Sequence, residues 1–199
     1  MPTPTTRTTS ATRDALLAVA AAAIRDGVRL GYRPVLRPDA GSLDLRTPGA
    51  SFVTLHLEDR LRGCIGSLVA KRSILEDVHH NAYSAAFEDP RFPRVVAAEL
   101  MHLQLEVALL STPEPVVVAS RDALLAMLEA ERPGVVIDEG GRRATFLPKV
   151  WEMIPSSDAF LSALLRKAGL PEDHWSDTLR VETYGSETFD CPLSEALHR

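Results

Sequence analysis

The stretch SFVTLHL, the polar break EDR and the stretch LRGCIGSL, residues 51–68 together, constrain the chain more than any other feature. The first stretch alternates: Phe52, Thr54 and His56 share one face, and Val53, Leu55 and Leu57 share the other. Alternation with period two is the mark of a half-buried strand. The second stretch runs back after a turn too short for anything but antiparallel pairing, so the two form a β-hairpin. Within it, Arg62, Cys64, Gly66 and Leu68 lie on one face and Leu61, Gly63, Ile65 and Ser67 on the other. Leu61 and Ile65 are expected to face the core.

The remaining segments supply helices and further strands. Ser73 and Glu76 have the spacing of a capping box, so a helix is expected from there to about Glu88, stopping before Pro90. Leu75, Val78, Ala82 and Ala85 form its buried stripe. MHLQLEVALL reads as a strand with Leu103, Leu105, Val107 and Leu109 inward. Ser120 caps a short helix, GVVID and RATFLP flank a glycine turn as a second hairpin, Ser157 is expected to cap a helix carrying Phe160, Leu161, Leu164 and Leu165, and TLRVETY closes the series as a strand. Strands and helices mix without βαβ alternation. The class is therefore α+β, with a mixed or largely antiparallel sheet.

Ala15 to Ile24, in ALLAVAAAAI, superficially resembles a secretory signal. It is too short to span a bilayer, and Asp14 before it and Arg25-Asp26-Gly27 after it look like helix termini, so it reads as a buried first helix ending near Gly27. Residues 1–10 are expected to be a flexible tail and residues 11–199 the folded domain. The net charge of −5 argues against a protein whose main work is neutralising nucleic-acid phosphates. Two cysteines far apart, with no CxxC spacing, indicate neither a disulfide framework nor a zinc site, and no metal or cofactor is implied. A reducing cytoplasm is the default compartment.

Cys64 stands between two glycines with Arg62 on its own face. A cation beside a thiol favours the thiolate, and a vacancy at Gly66 would let a ligand reach the sulfur. The same residues also suit plain packing, since free cysteines are usually buried and strand glycines often mark close backbone approach. In FEDPRFPRV, Asp89 and Arg91 lie in a stiff turn, either as a local pair or with Arg91 projected toward a ligand. Arg142 and Arg143 leave the second hairpin, where paired arginines clamp an anion or solvate a turn. Glu76 and His80 have helical spacing but lack a third metal ligand.

LRGCIGSL, NAYSAAFEDPRFPRV, LQLEVALLS, RRATFLPKVW and FLSALLRKAGL, in this order, resemble the AMMECR domain family, and most nearly its bacterial branch, AmmeMemoRadiSam system protein A. The resemblance runs from about Asp14 to Phe189. It implies a two-lobed single α+β domain whose small lobe carries the LRGCIG hairpin near a cleft. Carried over by position, the family's prominent residues are Arg62, Gly63, Cys64, Gly66, Asp89, Arg91, Phe92 and Pro93. It also implies association with a Memo-like protein and a radical-SAM protein. Two functions stay open at this point. One is a binding or accessory subunit that receives a partner or a small anionic ligand at Arg62, Cys64 and Arg91, with no role for nucleic acid or membrane. The other is a thiol-dependent enzyme in which Arg62 activates Cys64.

Overall fold

The expected hairpin forms from β1 (Pro48–Leu57) and β2 (Arg60–Gly66), paired antiparallel from Phe52 opposite Gly66 to Leu57 opposite Arg60. Its two-residue turn puts Glu58 and Asp59 at φ of 51° and 60°, the left-handed conformation that matches the twist of the flanking strands. The structure is a computed structural model that describes residues 8–36 and 43–198. One detail breaks the simple alternation. Leu55 faces Gly63 while His56 faces Leu61, so Arg62 is an extra, bulged residue. The bulge turns Leu61 onto the His56 face, where it is 40% exposed, and the expectation that Leu61 enters the core fails for that reason.

β1 also pairs antiparallel with β4 (Leu103–Leu110), and β9 (Ser186–Pro192) lies beyond β4. The two-residue β3 (Arg72–Ser73) pairs with the start of β1, which completes a five-stranded sheet in the order β2-β1-β4-β9. Helices α1 (Ser10–Leu30) and α2 (Ile74–Phe87) cover one face of it. Leu16, Ile24, Val78 and Ala82 of the helices and Val53, Leu55, Leu105 and Val107 of the sheet are fully buried there, and this single apolar layer is the core of the unit. Ser73 and Glu76 form the capping box at the start of α2.

The first helix runs further than the sequence suggests. It passes through Gly27 and ends at Gly31, which takes φ 79° and donates its N–H to the Gly27 carbonyl. Gly27 is a packing residue, since a Cβ there would lie 2.5 Å from the Phe87 ring. At the other end, Thr9 caps α1 and the Thr8 N–H donates to Glu187 at 3.0 Å, so residues 8–10 are engaged by the fold. The rest of the expected tail lies outside the described residues.

A second sheet runs in the order β5-β8-β6-β7, built from β5 (Glu114–Pro115), β6 (Gly134–Glu139), β7 (Arg142–Phe146) and β8 (Arg180–Tyr184). Gly140 and Gly141, at φ of 58° and 85°, make the β6–β7 turn. Helices α3 (Arg121–Glu131) and α4 (Ser157–Lys167) bury Leu124, Leu128, Phe160 and Leu164 against Val135, Ile137 and Val181. The Trp151 ring stacks on Phe160 at 3.9 Å, and its indole N–H donates to the Pro133 carbonyl. Ser156, rather than Ser157, caps α4. TLRVETY is not the last element, because β9 and the short α5 (Leu193–Ala196) follow it. The alternation of Phe189 and Cys191, both buried, is the signal for β9.

The chain therefore divides into two compact units, Ser111–Ser186 on the one hand and the described residues of Thr6–Leu110 and Glu187–Arg199 on the other. The class is α+β with antiparallel pairing, as expected. The LRGCIG hairpin belongs to the larger unit, which corrects the smaller lobe that the family resemblance implied. Among the described residues no helix is long and apolar enough to cross a membrane.

Replacing Gly27 by valine tests the α1–α2 contact. Valine is a slightly better helix former than glycine, but overpacking a filled site costs about 1–3 kcal/mol and outweighs that gain. Urea unfolding should show Gly27→Val less stable than wild type by about 2 kcal/mol.

Candidate functional site

The residues singled out in two separate motifs meet along the free edge of β2. Helix α2 ends at Phe87, and the chain then runs beside β2 through residues 89–93. Asp89, with its side chain only 2% exposed, accepts the Cys64 backbone N–H at 2.9 Å. Arg91 donates from Nη2 to the Cys64 carbonyl at 3.1 Å. The two side chains are bound to each other, Arg91 Nε to Asp89 Oδ1 at 2.9 Å and Nη2 to Oδ2 at 2.7 Å. An adjoining strand would satisfy the same two backbone groups of Cys64. Here an ion pair does so instead. The bonds from Arg91, and then those from the Cys64 and Arg91 backbone, hold the Asp89 carboxyl well below the usual carboxylate range against the opposing effect of burial.

Arg62 lies at the bulge and is turned away from any ligand role. Its Nε and Nη2 donate to Glu99 at 2.6 and 3.0 Å, and its Nη1 donates to the Pro93 carbonyl at 2.9 Å. It is 9% exposed. The contact with Arg62 also lowers the Glu99 pKa. The cation beside Cys64 is Arg91, bound to its carbonyl, and the Arg91 pKa is raised first by the bond to Asp89 against the lowering effect of burial. Arg91 keeps 54% of its side chain exposed and lies over the Phe92 ring at 5.4 Å.

The glycines of the motif are filled from both sides. A Cβ at Gly63 would lie 2.1 Å from the Ala85 carbonyl oxygen, so α2 and β2 approach at backbone distance there. A Cβ at Gly66 would lie 2.2 Å from the Phe52 ring, so the vacancy expected beside Cys64 is occupied by Phe52 of the neighbouring strand. Neither glycine opens a path to the sulfur.

What remains presented is the face around Cys64 itself. The Thr54 hydroxyl donates to Cys64 Sγ at 3.4 Å, and Thr54 stands opposite Cys64 on one side and Glu106 on the other, so thiol, hydroxyl and carboxylate form a row across β2, β1 and β4. Cys64, Thr54, Phe52 and Glu106 are half-buried and Gln104 is exposed. Cys191 is buried in the core. Among the described residues no three His, Cys, Asp or Glu side chains are grouped to hold a metal ion. Glu76 caps α2, and His80 meets Arg33 and not Glu76. Arg142 and Arg143 contact the Gly169 carbonyl and Glu182, as residues at a solvated hairpin end do.

The family model AMMECR1 matches residues 17–189 of the chain. The chain belongs to the AMMECR1 family. A Thermotoga maritima protein is 37% identical over 163 residues, which cover 79% of this chain and 88% of that protein. A Methanothermobacter thermautotrophicus protein is 32% identical over 180 residues, 87% of this chain and 91% of that one. The crystal structure of the uncharacterized protein PH0010 from Pyrococcus horikoshii matches with a TM-score of 0.79 at 28% identity, covering 88% of this chain and 89% of that one.

This AMMECR1-family protein also holds a buried polar cluster that the sequence reading passed over. Asp77, whose side chain is 1% exposed, accepts the Ser51 N–H at 2.9 Å, the Ser51 hydroxyl at 2.8 Å, the Ser67 hydroxyl at 2.8 Å and the Asn81 amide at 2.9 Å, with Arg72 at 3.4 Å. The cluster fastens α2 to β1 and to the end of the LRGCIG strand. Its signal was available: Asp77, Asn81 and Ser84 recur at helical spacing beside the apolar stripe of α2, and all three are buried.

Two substitutions test this geometry. Asp77→Ala leaves the buried Ser51 N–H without its acceptor and takes one of its acceptors from the Asn81 amide, and calorimetry should show a loss of about 3 kcal/mol. Asp89→Asn should lower stability at neutral pH by an amount that shrinks as the pH falls. A carboxylate with a depressed folded pKa stabilises fully above its unfolded value, near 3.9, and loses that contribution as the pH drops below it toward the folded value. Urea titrations from pH 7 down to about pH 3 should therefore show the wild-type advantage narrowing only below about pH 4.

Proposed function

We propose that this protein is a binding or accessory subunit of the AmmeMemoRadiSam system protein A branch, acting with a Memo-like protein and a radical-SAM protein through the face of β1, β2 and β4 around Cys64. One observation carries the reading. The charged motif residues build the platform instead of performing chemistry: Arg62 is held by Glu99 and Pro93, and Asp89 by Arg91 and the Cys64 backbone. The groups beside Cys64 are the Thr54 hydroxyl, which donates to its sulfur, and the Arg91 guanidinium, which donates to its carbonyl. Neither accepts a proton at neutral pH, so neither is a general base for the thiol; a cation favours the thiolate, and the enzyme alternative rests on Arg91 for that reason. The platform therefore fixes a shaped, half-exposed surface. A small anionic ligand at this face would meet Arg91, because the hydrogen-bonding edges of Arg62 are already occupied.

The alternative, a thiol-dependent enzyme, makes opposite demands on the same residues. In the accessory reading, arginine at both Thr54 and Gln104 places two bulky cations on the face and should weaken association with purified Memo-like or radical-SAM protein by about tenfold or more, a change of about 1.4 kcal/mol or more. Cys64→Ser should bind nearly as wild type, because serine keeps the shape. Isothermal titration calorimetry reads both. Turnover of a small molecule by the purified protein that disappears in Cys64→Ser would replace the accessory reading with the enzyme.

A further inference from the structure

Among the described residues β2 is an edge strand of its sheet, since β1 lies on one side of it and no strand on the other. Edge strands expose unpaired N–H and C=O groups that recruit other strands, and proteins blunt them with charges, bulges or covering loops. Here all three devices meet on one short stretch of β2, residues 62–64. The bulge at Arg62 bends the strand, the loop of residues 89–93 lies along its edge, and the Asp89–Arg91 ion pair takes up both backbone groups of Cys64. Such matching at a single residue exceeds what a loop needs to end a helix at Pro90.

We infer that the Asp89–Arg91 pair is an edge guard, which holds the place of a neighbouring strand at Cys64 and thereby keeps β2 from pairing with β2 of a second copy of this chain. The second copy is the occupant the geometry favours. A residue whose N–H and C=O both point to a free edge can exchange both bonds with its own equivalent about a two-fold axis, and self-complementary contacts of this kind generate closed dimers. In that register Cys64 lies opposite Cys64 of the other copy, with Cα atoms about 5.5 Å apart. That spacing falls within the range a disulfide spans. Arg62 then faces Gly66 of the other copy, so the antiparallel register brings no two like charges opposite each other at these positions.

The test is the double variant Asp89→Ala/Arg91→Met in the full chain, compared with wild type at equal concentration. Sedimentation velocity should show the variant shifted to a dimer. Oxidation by copper phenanthroline, in which the two thiols lose two electrons and two protons to the oxidant, should raise the Cys64–Cys64 cross-linked dimer about tenfold or more over wild type, and Cys64→Ser should abolish it. A folded double variant that sediments as wild type overturns the inference. So does a dimer that gives no Cys64 cross-link, because it associates through another surface. If the double variant does not fold, Arg91→Met alone opens only the Cys64 carbonyl and leaves Asp89 in place; its cross-linking yield must still exceed that of wild type, and an unchanged yield counts against the guard.

Discussion

The contact on which the larger unit depends is the approach of α2 to β2 at Gly63, where the Ala85 carbonyl oxygen occupies the place a side chain would take. A helix laid on a strand at side-chain distance would stand several ångströms further off. Because it lies closer, the C-terminal end of α2 delivers residues 89–93 to the edge of β2, and earlier turns of the same helix bring Asp77 and Asn81 under Ser51 and Ser67. One missing Cβ thus fixes both the cap on Cys64 and the buried cluster beyond Gly66. The LRGCIG motif is a packing motif first, and the surface it presents follows from that packing.

The two polar assemblies on either side of Cys64 work differently. The Asp77 cluster is sealed, and its donors are neutral hydroxyl, amide and peptide groups with a single partly exposed arginine. Buried carboxylates are tolerated when every lone pair finds a donor, and a cluster satisfied in this way rigidifies its surroundings. The Asp89–Arg91 pair is half open, with a buried carboxylate and an exposed guanidinium. A rigid anchor therefore stands at Ser67, three residues from a cap at Cys64 that another molecule can reach.

Much of the fold was legible in the sequence because apolar periodicity was strong where burial was one-sided. Val53 and Leu55 share a face as read and are buried, Leu103, Leu105 and Val107 are inward as read, and the capping box at Ser73 and Glu76 forms as read. The failures share a physical cause, which is that they depend on contacts between elements that periodicity along one element does not report. Gly27 looked like a helix end because glycine is a poor helix former, yet Phe87 requires a residue without a side chain there. Leu61 looked inward because strict alternation was assumed, and the bulge at Arg62 displaced it. Arg62 looked like an activator because it lies two residues from Cys64, but Glu99, distant in sequence, claims it. The AMMECR1 family was readable from five ordered motifs, whereas the division of labour among their residues was not.

That division bears on how the motif reads as chemistry. A catalytic reading of Arg-Gly-Cys-Ile-Gly treats the arginine as activator and the glycines as access, and each of these parts has a structural occupant: Glu99 for Arg62, Ala85 for Gly63 and Phe52 for Gly66. Cys64 is the remaining member whose side chain is neither buried in the core nor bound to a charged partner's carboxylate, and it stands in a row with Thr54 and Glu106 across three strands. A thiol that only filled space would need no such fixation of its backbone by an ion pair. The N–H and C=O of Cys64 are held while its sulfur points to the half-exposed face, so the fold specifies the position of that sulfur more tightly than packing alone requires. Phe52, Thr54 and Cys64 thus share one face of β1 and β2, on a backbone held at Cys64 by Asp89 and Arg91.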